Sequence, residues 1–189
     1  MKKNYEMPES LADIVRIDRE LREQHVGTFQ DYVGFYIRFN SDDDRYYCTP
    51  NDAVIFGGTG ADGDHFAFFT FNGSIRDLEE APIIFVQPMA FGNQVTLVAR
   101  NLKDFLALFI SLKEIYILER FRFYNNRSDF INDYNDNYLK DIRLRESDSQ
   151  FIIDLLRRSI EGIVHIDDVY EYITELKKQI KLEINNDDF

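Results

Sequence analysis

A series of short apolar runs in the middle of the chain constrains the fold more than any other feature of the sequence. The runs cover residues 53–56, 65–71, 82–87 and 94–99, and turn sequences rich in glycine, proline, asparagine and aspartate separate them. Such links are too short to hold the crossover helix that a parallel connection requires. The runs therefore predict a mainly antiparallel sheet.

Two more strand-like segments precede these runs. Residues 32–39 alternate between apolar and polar side chains, which is typical of a strand with one buried face. Residues 45–48 are a candidate short strand, and Asn72-Gly73 is the strongest hairpin-turn sequence in the chain.

Helical patterns flank the predicted sheet on both sides. Residues 9–25 carry one apolar stripe, with Ser10 as the expected cap, and Asn101 is placed to open a long helix whose stripe reaches Tyr116. The polar C-terminal part predicts three further helices, over 130–139, 147–160 and 167–182. The predicted fold class is α+β, a central sheet flanked by N-terminal and C-terminal helices. Residues 1–124 are its expected core, and residues 125–189 are a helical extension packed on the same domain.

The chain carries a strong negative charge. Its 34 acidic side chains outnumber the 22 basic ones, which gives a formal net charge of −12 over 189 residues. Such a field repels phosphate, so binding to nucleic acid or to an anionic membrane surface is disfavoured. The charge suits a basic protein partner, but it also has a simpler interpretation, because net charge by itself keeps a protein soluble.

The cysteine content and the N-terminal sequence bear on the compartment. The single cysteine, Cys48, rules out an intramolecular disulfide and a cysteine-based zinc site. The lysines at positions 2 and 3 are followed by no apolar segment of a secretory signal, and no run approaches the roughly 20 apolar residues of a membrane-spanning helix. We expect a cytoplasmic protein, and its oligomeric state is open.

The densest motif, over residues 49–71, combines a proline-aspartate turn with a glycine-rich stretch. A phosphate-binding loop needs a lysine followed by serine or threonine after its last glycine, and then a helix. Aspartates and a strand-like run follow here, so phosphate binding is disfavoured. We expect the glycines and aspartates to shape turns, since they supply positive φ angles and acceptors for turn amides. The residues given this structural role are Pro50, Asp52, Gly57, Gly60, Asp62 and Gly63.

Catalytic and metal-binding alternatives find less support. Asp62, Asp64 and His65 are an alternative ligand set for a metal-dependent hydrolase, but they match no recognised ligand spacing. The three histidines lie in unrelated contexts, and the nucleophile elbow Gly-x-Ser-x-Gly does not occur. We therefore expect no enzyme activity, no metal and no other cofactor.

An acidic loop with aromatic neighbours is the strongest candidate for a binding site. Asp42, Asp43 and Asp44 are three consecutive like charges, which are destabilising unless solvent or a positive partner compensates them. A solvated loop is one interpretation. The other is a contact for a basic protein, in which complementary charge steers association and Tyr46 and Tyr47 add aromatic contacts.

The segment 49–71 resembles the sheet core of the SUKH superfamily, the SMI1/KNR4-like proteins. The similar features are the Pro-x-Asp turn at Pro50 and Asp52, an apolar strand that ends in Phe-Gly, and a Gly-Asp-Gly turn followed by an aromatic strand. Residues 82–106 resemble the later strands and the closing helix of that family. The resemblance spans about residues 10–120, and the C-terminal helices lie beyond it.

The resemblance implies a curved, mainly antiparallel sheet flanked by helices, and a role without catalysis. Many bacterial members of the superfamily look like immunity proteins, which neutralise toxins by binding them, and fungal relatives serve as cell-wall signalling scaffolds. The leading hypothesis is therefore an immunity protein or antitoxin. A basic nuclease toxin is a partner that the net charge of −12 would suit. The alternative is a regulatory scaffold that binds a cellular enzyme.

Overall fold

One antiparallel sheet forms the centre of the structure, a computed structural model that describes residues 4–41 and 45–182. Each strand in these residues pairs with the next one along the chain, so the order in the sheet is the order in the sequence. The strands are β1 (Tyr36–Ile37), β2 (Ala53–Gly58), β3 (His65–Phe69), β4 (Ile83–Val86) and β5 (Val95–Ala99). The predicted antiparallel pairing is confirmed, and the sheet is curved and open.

Helices precede and follow the sheet, which confirms the predicted α+β class. The helices are α1 (Glu9–Glu23), α2 (Phe29–Val33), α3 (Leu102–Leu112), α4 (Ile117–Arg120), α5 (Arg127–Asp133), α6 (Leu139–Leu144), α7 (Glu146–Ser159) and α8 (Val169–Gln179). A 3₁₀ turn at Leu78–Glu80 lies between β3 and β4, and a π-helical turn at Tyr134–Tyr138 joins α5 to α6. In the part of the chain that is described, no helix combines the length and the apolar character needed to cross a membrane.

The first two residues of the predicted strand over 32–39 belong to a helix instead. Thr28 and Asp31 form a reciprocal cap at the start of α2, in which each side chain accepts a hydrogen bond from the other residue's amide. Gly34 then ends the helix in the left-handed conformation, with φ at 100°. Only the two residues of β1 remain in the sheet. The cap favours a helix over the strand that the alternating pattern predicts, because it satisfies amides that the start of a helix would otherwise leave unpaired.

Two other predicted sheet features are wrong in detail. Residues 45–48 form a turn rather than a strand, because the amide of Thr49 donates to the carbonyl of Tyr46 at 2.9 Å. Asn72 and Gly73 do lie in a turn with positive φ angles. However, the 3₁₀ turn follows before β4 begins, so Asn72 and Gly73 do not join two strands directly.

The helix starts differ in how well they were predicted. Asn101 caps α3 as expected, since its side-chain oxygen accepts from the amide of Asp104 at 2.8 Å. Ser10 does not cap α1. Its amide and its hydroxyl instead donate to the carboxylate of Glu79, at 2.6 and 2.9 Å, and so tie α1 to the turn before β4. α3 is shorter than predicted because Lys113 adopts a left-handed conformation, with φ at 56°.

The core between the sheet and α3 is built largely from phenylalanine. The buried ring of Phe66 on β3 stacks on Phe85 of β4 with centroids 4.5 Å apart, and it contacts Phe105 of α3 at 4.9 Å. Aromatic pairs of this kind add about 0.5–1.5 kcal/mol to the stabilisation from buried area. Successive side chains of a strand point to opposite faces, so His65 lies on the other face of the sheet. The loop over residues 45–50 covers that face.

The C-terminal helices pack into the same core. Ile152 and Leu156 of α7 and Leu176 of α8 are buried in one apolar cluster with the residues of the sheet. The hydroxyl of Tyr172 on α8 donates to the carboxylate of Asp104 on α3 at 2.7 Å. The residues after 125 are thus held to the sheet-bearing part by both apolar and polar contacts.

Candidate functional site

Buried hydrogen bonds fix the loop that carries Tyr46 and Tyr47. The guanidinium group of Arg45 donates to the carbonyl of Ala53 at 2.9 Å and to the carbonyl of Pro50 at 2.5 Å. Arg45 is half-buried, and this burial lowers its pKa. The loop is therefore held to the start of β2 by one cationic side chain beneath it.

The same loop is joined to β3 through His65. The amide of Tyr46 donates to Thr49 Oγ1 at 3.0 Å, and that hydroxyl lies 3.1 Å from His65 Nε2. His65 Nδ1 lies 2.7 Å from the carbonyl of Gly63, which can only accept, so Nδ1 carries a proton. Both ring nitrogens of this buried histidine are thus occupied by structural partners.

Tyr46 lies flat against the turn before β3. Its ring stacks on the His65 ring, with centroids 6.2 Å apart and an angle of 23° between the planes. A Cβ atom added at Gly63 would lie within 2.5 Å of the Tyr46 hydroxyl oxygen. The ring therefore fills the space that the missing side chain of Gly63 leaves, while 42% of Tyr46 stays exposed.

Tyr47 is held at its hydroxyl group and exposed over its ring. The hydroxyl donates to the carbonyl of Pro88 at 3.1 Å and accepts from Gln94 Nε2 at 2.5 Å. The residue is 60% exposed. These bonds join the loop to the turn between β4 and β5, from which two further apolar side chains protrude: Met89 is 61% exposed and Phe91 is 84% exposed.

A third loop adds one more aromatic ring beside this turn. The guanidinium group of Arg122 lies 4.8 Å from the centroid of the Phe123 ring and donates to the carbonyl of Asn93 at 3.0 Å. Phe123 is 60% exposed. We call the exposed side chains of these three loops the aromatic surface; its members are Tyr46, Tyr47, Met89, Phe91 and Phe123.

Two carboxylates share one amide next to the Tyr46 turn. Gln87 Nε2 donates to Asp64 Oδ2 at 3.2 Å and to Glu119 Oε2 at 2.6 Å. Burial raises the pKa of Asp64; the hydrogen bond from Gln87 opposes this effect, and the negative charge of Glu119 adds to it. The side of the turn that faces α4 is therefore acidic.

The predicted site residues fall into two groups. Asp42, Asp43 and Asp44 lie outside the described residues, between Ser41 and Arg45. Tyr46 and Tyr47 are exposed neighbours on one loop, as a contact surface requires, and their binding role stays a prediction.

The turn residues take part in backbone geometry. The carbonyl of Pro50 accepts from the amide of Ala53 at 2.9 Å. The carboxylate of Asp52 accepts from the amide of Asn72 at 2.7 Å, which links the turn before β2 to the turn after β3. At Gly57, an added Cβ would lie 2.5 Å from the Phe35 ring.

The Gly-Asp-Gly segment forms the tight link between β2 and β3. Gly60, Asp62 and Gly63 all have positive φ angles, at 84°, 51° and 78°. The amide of Thr59 donates to the carbonyl of Asp64 at 3.0 Å and closes the link. Glycine adopts these angles without the steric strain that a Cβ atom imposes.

A small cavity of about 200 Å³ lies beside this link, between the Tyr36 and Tyr46 rings. Asp64 and His65 are among its lining residues, but the His65 nitrogens contact Thr49 and Gly63 as described above. Within residues 4–41 and 45–182, no cluster of three or more histidine, cysteine or acidic side chains is placed to hold a metal ion. Cys48 is buried, and its burial raises the pKa of the thiol.

A serine–histidine pair that the sequence did not suggest joins α3 to the segment before α8. Ser111 Oγ is 3.3 Å from His165 Nδ1, and His165 Nε2 is 3.6 Å from the exposed carboxylate of Asp167. The Ser111 hydroxyl, however, donates to the carbonyl of Ile166 at 2.9 Å. Its proton is therefore engaged with the backbone, and the group fastens the segment before α8 to α3.

Sequence reasoning missed Met89, Phe91 and Phe123. A signal was present for the first two, since Met-Ala-Phe-Gly places large apolar side chains in a turn, where polar residues are usual. Nothing local marked Phe123 as part of the same surface.

Comparison of the chain with models of known protein families, with curated proteins and with solved structures finds no match.

Proposed function

We propose that this protein is a non-catalytic protein-binding module of the immunity type, which uses the aromatic surface to bind and neutralise a basic toxin in the cytoplasm. The observation that carries the proposal is the concentration of five large exposed apolar side chains on three adjoining loops. Large exposed apolar patches mark interaction sites in soluble proteins. The resemblance to the SUKH superfamily supports the same class of function.

The way the loops are held favours binding with little loss of conformational entropy. Tyr47 is tied to Pro88 and Gln94, and Tyr46 is stacked on His65. Tyrosine and phenylalanine present a large contact area with few rotatable bonds, and such residues supply much of the binding energy at interface centres. The two tyrosines are therefore held in place before a partner arrives.

The charge of the chain indicates the kind of partner. Net charge is −12, three aspartates precede Tyr46 by two to four residues in the sequence, and Asp64 and Glu119 flank the Tyr46 turn. A basic partner would be attracted to this side by long-range electrostatic steering. Bound across a toxin's active site, the surface would exclude the toxin's substrate.

The test is a binding and protection assay with toxins encoded next to this gene. Purified protein is titrated with each toxin by calorimetry, and cells that express both are scored for survival. We expect Phe91→Asp to weaken binding at least about tenfold and to abolish protection, because a charge replaces a central apolar contact. Leu144→Asp is the matched control, since Leu144 is 76% exposed but lies on α6. Equal affinity for the Phe91→Asp and wild-type proteins would refute the assignment of the surface.

The acidic loop is tested separately. The triple variant Asp42→Asn, Asp43→Asn, Asp44→Asn should associate more slowly than the wild type, and the difference should be larger at low than at high salt, because salt screens steering by exposed charge. Unchanged association at low salt would show that the three aspartates take no part. If no neighbouring toxin binds, but a constitutive cellular enzyme does so through Phe91, the scaffold alternative replaces the immunity role.

A further inference from the structure

A groove with the opposite charge lies at the edge of the sheet. It runs between β5 and the end of α8 and has a volume of about 470 Å³. Its lining contains Asn93, Val95, Thr96, Leu97, Arg122, Lys177, Ile180, Lys181 and Leu182. Three of these side chains are cationic, and none of these lining residues is acidic. In a chain with a net charge of −12 this is a local reversal of sign.

One of the cations has unused hydrogen-bonding capacity. Arg122 Nη1 donates to the carbonyl of Asn93, but the buried Nε has no hydrogen-bond partner among the described residues. A buried donor without an acceptor is destabilising by about 1–3 kcal/mol. The guanidinium group also lines the groove, so its positive charge lies next to any ligand bound there.

A second cation, Lys177, has no carboxylate beside it among the described residues. Lys177 Nζ has the carbonyl of Phe121 as a distant acceptor, at 3.4 Å. Burial lowers the pKa of Lys177, and no neighbouring negative charge opposes this effect. The positive charge of Lys177 is therefore available to an anionic ligand in the groove.

The backbone beside these cations is suited to an extended ligand. β5 is the last strand of the sheet in the described residues, so its outer edge has no strand partner there. The chain leaves α8 at Ile180 in an extended conformation, with φ at −115° and ψ at 115°. Val95, Thr96 and Leu97 thus present a strand edge on one side of the groove, with the extended stretch on the other.

We propose that this groove binds an acidic peptide segment of a partner protein, which adds to the edge of β5 as a further strand and places its carboxylates against Arg122, Lys177 and Lys181. Main-chain hydrogen bonds to β5 supply affinity, and the cations select acidic side chains at alternate positions. Screening at physiological salt limits the reach of the overall negative charge to about 8 Å, so the local cations dominate. The groove adjoins the aromatic surface through Arg122 and Asn93, but it takes a ligand of opposite charge to the proposed toxin.

The probe is a fluorescein-labelled peptide, Asp-Val-Asp-Val-Asp-Val, titrated with the full chain by fluorescence anisotropy. We expect Lys177→Met to weaken binding about tenfold, as the loss of a charge-assisted bond would. Lys178→Gln is the matched control, because Lys178 is exposed and pairs with Glu175 on the same helix. Methionine keeps the apolar stem of Lys177, so the fold should tolerate the change, and a thermal melt of each variant checks this.

Further measurements distinguish the alternatives. Peptide binding should shift the amide resonances of Val95 and Leu97, and a peptide methylated at alternate amides should bind at least tenfold more weakly. If the methylated and unmethylated peptides bind equally and inorganic phosphate displaces both, the groove binds isolated anions. This result would overturn the proposal that the peptide adds to β5 as a strand. Equal affinity for the Lys177→Met and Lys178→Gln proteins would overturn the site itself. Tighter peptide binding by the Asp187→Asn, Asp188→Asn double variant would overturn the proposed occupant, because it would show that the chain's own acidic end competes for the groove.

Discussion

The contact between Tyr46 and Gly63 gives the sharpest test of how the aromatic surface is held. Gly63 has φ at 78°, and an added Cβ would meet the Tyr46 ring. The left-handed conformation alone makes alanine less favourable by about 1 kcal/mol, and overlap with the ring adds about 1–3 kcal/mol. Gly92→Ala is the matched control: its φ is 84°, but nothing lies within 4 Å of its added Cβ. Gly63→Ala should therefore lower the free energy of unfolding by about 1–3 kcal/mol more than Gly92→Ala does.

Urea denaturation of a double-mutant cycle measures the effect. In a Tyr46→Ala background the ring is absent, so Gly63→Ala should be only as destabilising there as Gly92→Ala is in the wild-type chain. Two-state unfolding with an unchanged dependence on urea is the condition for this comparison. If Gly63→Ala has the same effect with and without the Tyr46 ring, Tyr46 does not pack on the turn, and the argument for an ordered surface fails.

Three further predictions concern contacts that join distant segments. Glu79→Ala leaves the amide and the buried hydroxyl of Ser10 without their acceptor, and urea denaturation should show a loss of about 2 kcal/mol. Tyr172→Phe removes the hydroxyl that joins α8 to α3, and we expect a loss of about 1–2 kcal/mol with faster amide exchange in α8. The pKa of Asp64 is raised by burial, so the folded state binds the proton more tightly than the unfolded chain, and stability falls as pH rises through the folded-state pKa. Relative to the wild type, Asp64→Asn should therefore raise Tm more at about pH 7 than at about pH 4.

Each of these has a result that contradicts it. A Glu79→Ala protein as stable as the wild type would mean that water satisfies Ser10. Unchanged exchange in α8 after Tyr172→Phe would mean that the apolar core alone holds that helix. A parallel shift of Tm at both pH values for Asp64→Asn would show that its carboxyl group titrates alike in the folded and unfolded states.

The sheet was predictable because its strands are local patterns bounded by local turns. β2, β3, β4 and β5 coincide with apolar runs whose ends are set by proline, glycine and asparagine, and such preferences act within a few residues. The cap at Asn101 was predictable for the same reason. The helix at α2 was missed although its signal was local, since Thr28 and Asp31 have the spacing of a reciprocal cap.

The candidate surfaces depend on contacts that no local pattern encodes. Tyr47 is fixed by Pro88 and Gln94, which lie 41 and 47 residues further along the chain. Likewise, the groove exists because β5 meets Lys177 of α8. By itself the sequence determined the fold class and the negative charge, because composition and short-range patterns suffice for these. Only the tertiary structure decided which loops meet and where cations gather, because those positions follow from strand register and helix packing.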